Sequence, residues 1–123
     1  MSYDIALTCP VTGEILELDE PHQMKGGTYS VGGTQQAKLN VTYNYAEHFY
    51  RVFLEIQFSK AGIRSIYGLT GAESIPVLQM AIAKLKNDAD QDYWKPTEGN
   101  AKKALTQLLA LANMRPDGVW EGD

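Results

Sequence analysis

Two hydrophobic rhythms divide the chain. Residues 3–9, YDIALTC, alternate: Tyr3, Ile5 and Leu7 fall on one face and Asp4, Ala6 and Thr8 on the other, which is the period of a half-buried strand. PVTG (10–13) has the chemistry of a turn, and EILEL (14–18) reads as a return strand, so a β-hairpin is expected, followed by a loop over 19–24. AKLNVTYN (37–44) alternates again, with Ala37, Leu39, Val41 and Tyr43 opposed to Lys38, Asn40, Thr42 and Asn44. Its expected partner is GTYSV (27–31), with Gly32 and Gly33 supplying the positive φ angles of a tight turn and Gly26 and Gly27 marking the entry.

From residue 44 the period lengthens to that of helices. A first helix is predicted over 44–62, with Asn44 as N-cap, Glu47 completing a capping box and Gly62 as C-cap. Its apolar residues, among them Phe49, Tyr50, Val52, Phe53, Leu54 and Phe58, cover most of the circumference, leaving a narrow polar strip of Glu47, His48, Arg51 and Glu55. Such a helix is either central or covered by another subunit. IRSIYG (63–68) reads as a short strand or extended linker. A second helix, capped by Thr70 or Ser74 with Pro76 in its first turn, ends near Asn87. An acidic connector, DADQDYW, leads to a third helix capped by Thr97 and ending near Met114, where Arg115-Pro116 stops it. The remainder, DGVWEGD, reads as a tail with an exposed or docked Trp120.

Strands first and helices afterwards predict an α+β fold, a small antiparallel sheet of N-terminal hairpins packed by three α-helices. A single domain over 1–123 is expected, mainly β over 1–43 and mainly α over 44–116, with a tail at 117–123. The 123 residues, 44% hydrophobic and 21% charged, suffice for a real core.

Charge narrows the partners. Eleven basic against fifteen acidic residues give a net charge of −4, which argues against non-specific nucleic-acid binding. The distribution is uneven: residues 1–24 carry five acids and no Lys or Arg, whereas 25–60 carry Lys25, Lys38, Arg51 and Lys60 against Glu47 and Glu55. The lone Cys9 excludes an internal disulfide and fits a small apolar role in a reducing compartment. With no signal-peptide pattern and no membrane-spanning run, a cytoplasmic protein is expected, that of the infected or lysogenic host in the setting discussed below.

Motifs of chemistry are sparse. His22 and His48 are the only histidines, and no HExxH, paired-cysteine or EF-hand pattern occurs, so neither metal nor cofactor is called for. KGGTYSVGGT (25–34) lacks the GK[ST] ending of a P-loop and the GxGxxG of a dinucleotide fingerprint. TGAESIP and PTEGNAK place hydroxyls at helix starts, yet Glu73 and Glu98 already complement those dipoles. No nucleophile-elbow signature surrounds Cys9, Ser30 or Ser74.

What stands out is a concentration of Tyr, Trp, Asn, Thr, Ser and Gly in the non-helical segments, the side chains with which a pocket holds a sugar, base or phosphate-bearing molecule. Loops are rich in these types for turn chemistry as well. The candidate ligand-binding set is Asn40, Thr42 and Asn44 on one strand face, with Thr28 and Tyr29 on the facing strand and Arg51 and Arg115 for phosphate. The broad apolar cover of the first helix adds an expected homo-oligomer.

The segments GGTYSVGGT, LNVTYNY, IYGLTGAESIPVL, YWKPTEGNAK and MRPDGVWEGD resemble those of small hypothetical proteins encoded in phages and prophages of gut Gram-positive bacteria. The resemblance implies a setting, counter-defence within a bacterial host, and no mechanism or site residue. In that setting the leading expectation is a non-catalytic protein that captures a nucleotide-type immune signal. The alternative is an inhibitor of the anti-restriction or anti-CRISPR type, binding a host protein through acidic surface such as Asp88, Asp90 and Asp92. A small nucleotide hydrolase is the weaker third.

Overall fold

The computed structural model describes residues 1–22, 24 and 34–123. The expected strand at 27–31, the Gly26-Gly27 and Gly32-Gly33 pairs, and the candidates Thr28 and Tyr29 lie outside the described residues.

The fold is α+β, as the order of rhythms predicted. Strand β1 (Ser2–Thr8) is the centre of a three-stranded antiparallel sheet. Besides β1, the chain forms β2 (Glu17–His22), β3 (Thr34–Gln36), β4 (Lys38–Thr42), α1 (Ala46–Glu55), α2 (Gly71–Ala83), α3 (Glu98–Met114) and β5 (Val119–Gly122). The order in the main sheet is β4-β1-β5, and β2 and β3 form a separate ribbon. The alternation of β1 does what its period dictates: Tyr3, Ile5 and Leu7 are buried with Leu39 and Val41 of β4 and Trp120 of β5. Phe49, Val52 and Phe53 of α1 and Leu105, Leu108 and Leu111 of α3 belong to the same core.

Both edges of this sheet take hydrogen bonds from connecting segments, which blunts the pairing hazard of exposed strands. Along β4, the Thr42 N–H donates to the Tyr93 hydroxyl (2.8 Å), which donates to the Asn40 carbonyl (3.3 Å). Along β5, the Trp120 N–H donates to Leu69 O and the Gly68 N–H to Trp120 O, each at 2.9 Å.

Several expectations require correction. The turn after β1 forms, with Gly13 N–H donating to Cys9 O at 2.8 Å, but the return segment makes only a Thr8–Ile15 bridge. The chain instead runs on as β2, so residues 19–22, expected as loop, are strand paired with β3. Only Leu18 and His22 of β2 are buried. A polar ribbon with few core contacts shows little alternation, and Pro21 is tolerated because strands of a two-stranded ribbon have free edges.

The first helix is shorter than its apolar pattern. Asn44 is not its cap: Thr42 Oγ1 accepts the Asn44 N–H (3.1 Å) and starts a 3-10 turn, Tyr43–Tyr45, ahead of α1. The helix stops at Glu55, well before Gly62, in a Schellman turn. Gln57 takes the left-handed position (φ 59°), Phe58 N–H donates to Phe53 O (3.0 Å) and Gln57 N–H to Leu54 O (2.9 Å). The Phe53 and Phe58 rings, 6.5 Å apart, make the apolar contact typical of this motif. A non-glycine residue there is strained by about 1–2 kcal/mol. Gln57→Gly is therefore expected to stabilise the fold by about 0.5–1 kcal/mol net of glycine's own entropy, read as a higher urea midpoint with unchanged slope.

Residues 63–68, expected to be extended, begin in a second 3-10 turn, Gly62–Ile66. In α2, Thr70 and Glu73 form the reciprocal capping box (3.0 and 2.9 Å). Pro76 sits in the second turn rather than the first, and α2 ends at Ala83, short of Asn87. Thr97 caps α3 through the Asn100 N–H at 3.0 Å, as expected. The presumed tail is strand β5, in register with β1 from Ile5–Gly122 to Thr8–Val119.

Candidate functional site

The alternation that sends Tyr3, Ile5 and Leu7 into the core sends Asp4, Ala6 and Thr8 to the opposite face of the sheet. Register then brings Asn40 opposite Asp4, and both Lys38 and Glu121 opposite Ala6. These residues floor a recess with a volume of about 500 Å³. Its walls include Gly13 and Ile15 of the turn after β1, and His22 and Met24 at the end of β2. Binding clefts for small molecules have volumes of roughly 300–1,000 Å³ and mix apolar walls with a few placed polar groups.

The polar groups are fixed to different degrees. Asn40 Nδ2 donates to Ser2 Oγ and to Asp4 Oδ1, both at 2.6 Å. With both hydrogens used, the amide presents its Oδ1 acceptor beside the Asp4 carboxylate. Thr8 Oγ1 donates to Val119 O (3.0 Å) and is buried. His22 is 8% exposed, with Nε2 2.9 Å from Gln36 O and Nδ1 accepting the Met24 N–H at 3.3 Å. That pattern requires the neutral tautomer protonated at Nε2, so His22 is a structural latch of the wall. Lys38 has no ion-pair partner among the described residues. It stands across Ala6 from Glu121, two strand spacings or about 10 Å away. The recess is thus bipolar: the Lys38 ammonium on one rim, the Glu121 carboxylate on the other, and the Ala6 methyl group between them.

Of the predicted ligand-binding residues that are described, Asn40 alone lines this recess. Thr42 is buried and caps the 3-10 turn. Asn44 Nδ2 donates to Trp94 O (2.8 Å), holding the connector. Arg51 pairs with Glu98 (2.8 Å) and Glu55 (3.2 Å). Arg115 pairs with Asp117 (2.8 Å) and donates to Glu17 O (2.7 Å). None of these four lines the recess. Sequence reading missed Asp4, Ala6, Lys38 and Glu121. The outward faces of β1 and β4 held the signal for three of them, whereas Glu121 is recognisable only once β5 is known to be a strand.

The connector carboxylates serve the fold. Asp88 Oδ1 accepts Gly99 N–H, Asp90 Oδ1 accepts Asp92 N–H and Asp92 Oδ1 accepts Trp94 N–H. The Asp92 N–H, with Lys95, holds the Asp90 carboxyl below its ordinary range. Cys9 is half-buried in the turn, where the Thr12 hydroxyl and the Thr12 and Val11 N–H groups lower its thiol below the ordinary value. Among the described residues no group of three His, Cys, Asp or Glu side chains gathers to hold a metal, and no helix is long and apolar enough to cross a membrane. Comparison with protein-family models, with curated proteins and with solved structures finds no match to this chain.

Proposed function

We propose that this chain is a ligand-binding protein that holds, without converting it, a nucleotide-type small molecule in the recess on the outer face of its sheet. The observation that carries the reading is the pair Lys38 and Glu121 flanking Ala6, with the Asp4–Asn40 acceptors in the next row. An anionic group suits the Lys38 rim, and the exocyclic amine or ring N–H of a base suits the carboxylate rim. A flat ring fits over Ala6, whose side chain leaves the floor open. In the phage setting that the resemblance implies, such a protein sequesters a host nucleotide signal. The protein-binding inhibitor has less support, because Asp90 and Asp92 each hold a backbone N–H of their own loop and Asp88 holds that of Gly99 at the start of α3.

Calorimetry against linear and cyclic mono- and dinucleotides tests the proposal. At least one is expected to bind with one ligand per chain. Lys38→Ala should weaken it by about 10–100-fold, the loss of one charge-assisted contact. Ala6→Leu, on the outward face, should abolish binding while leaving the circular dichroism spectrum unchanged. Absence of heat across the panel with the unaltered protein would overturn the reading.

A further inference from the structure

The recess carries a fixed pattern of hydrogen-bond acceptors as well as separated charges. Asp4 and Asn40 stand opposite each other on β1 and β4, and both line the recess. A carboxylate accepts and does not donate, so the Asn40 amide must turn its Nδ2 towards Asp4. It does so at 2.6 Å, and its second Nδ2 hydrogen goes to Ser2 Oγ, also at 2.6 Å. Asn40 Oδ1 and the Asp4 carboxylate are left as neighbouring acceptors, with no donor between them. We propose that this pair selects guanine, so that the ligand is a guanine nucleotide. The assignment rests on the reading of the recess as a nucleotide site.

Edge chemistry decides among the bases. A ring over Ala6 lies one row, about 7 Å, along the strand from Asp4, so one of its edges faces the acceptor pair. Among the common bases guanine alone sets two donor atoms side by side, the ring N1–H and the exocyclic amine. Adenine places an unprotonated ring nitrogen beside its amine, and so does cytosine; each would turn a lone pair on an acceptor. Uracil and thymine offer a single N–H flanked by two carbonyls. Lys38, two residues along β4 from Asn40, remains for the phosphate. Asp4→Asn is the discriminating variant. Asn40 Nδ2 keeps its bond, now to the oxygen of the introduced amide, which turns its own N–H towards the recess. The acceptor pair becomes a donor beside an acceptor, the complement of adenine. Asp4 is exposed, and its bond to Asp123 is made by its backbone N–H, so the fold is unaffected.

Calorimetry with guanosine, inosine and adenosine monophosphates, and with the matching cyclic dinucleotides, tests the assignment. The unaltered protein is expected to bind the guanine ligand about 10-fold more tightly than the inosine one, which lacks only the exocyclic amine. Against the adenine ligand the preference should reach about 100-fold, because a lone pair then faces an acceptor. Asp4→Asn should invert the order and favour adenine by about 10-fold. Three results would overturn the guanine assignment while leaving the recess a nucleotide site: adenine bound as tightly as guanine, inosine bound as tightly as guanine, or a guanine preference retained in Asp4→Asn. Heat from none of these ligands would overturn the assignment too, and silence across the whole nucleotide panel would overturn the ligand reading with it.

Discussion

Trp120→Ala is expected to destabilise the fold by about 3–5 kcal/mol, the range for emptying a fully buried aromatic site. Trp120 is 0% exposed, lies opposite Leu7 in the central sheet, and donates from its indole nitrogen to Ser74 Oγ at 2.7 Å. Ser74 in turn donates to Gly71 O (2.8 Å) at the start of α2, so one side chain ties the last strand to the second helix. Domains of this size are stable by about 5–15 kcal/mol, so the loss removes a large share and lowers Tm by roughly 10–20 °C. Trp120→Phe keeps most of the volume, and Ser74 keeps its own acceptor, so about 1–2 kcal/mol is expected there. Urea unfolding followed by circular dichroism measures both. A loss under about 1 kcal/mol for alanine would mean that residues 119–122 are not a core strand.

Gly99→Ala should destabilise by about 2–4 kcal/mol, against the sign of helix propensity. Within a helix alanine is favoured over glycine by about 1 kcal/mol, and Gly99 lies in the first turn of α3. The acidic connector, however, crosses directly over it: an added Cβ would sit 2.1 Å from the backbone nitrogen of Ala89 and 2.6 Å from its Cα. Backbone atoms cannot rotate aside, so the connector must lift. Lifting it breaks the bond from Gly99 N–H to Asp88 (2.8 Å) and strains the latch made by Asn100. The Asn100 side chain, 4% exposed, accepts the Asp90 N–H and donates to Asp92 O and Lys95 O at 2.8–2.9 Å. Asn100→Ala removes the same latch, so the two losses should combine to less than their sum. A Gly99→Ala protein more stable than the parent would show that propensity outweighs the close approach.

These two residues also show where the sequence was legible. Helix α3 and strand β4 were readable because their burial is local in period: every third or fourth residue, or every second. Thr97 and Thr70 announced their helices through side chains that serve the adjacent turn. Strand β5 was not readable, because four residues with one buried tryptophan carry no period of their own. They become a strand only by pairing with β1, more than 110 positions away. The end of α1 was hidden for a different reason. Apolar residues continue past Glu55, but Phe58 packs back on Phe53 through a left-handed glutamine that no composition rule would select. At the candidate site, the Lys38–Asn40 row was visible as the polar face of a strand. Its setting was not, since the recess also needs β5 and the wall formed by β2. Thr42 and Asn44 share that row by alternation alone. Thr42 stays in register opposite Ser2 but spends its hydroxyl on capping the 3-10 turn, and Asn44 leaves the row because the chain turns at Tyr43.

The central claim is that the outer face of the sheet is a binding surface for a nucleotide-type molecule. Amide NMR of the isotope-labelled protein during titration with the nucleotide panel tests it most directly. Saturable shifts are predicted at Asp4, Ala6, Lys38, Asn40 and Glu121, with α1 and α3 undisturbed and the shifts lost in Ala6→Leu. Spectra indifferent to every nucleotide, or shifts gathered around Arg51 or Arg115 instead, would contradict the account.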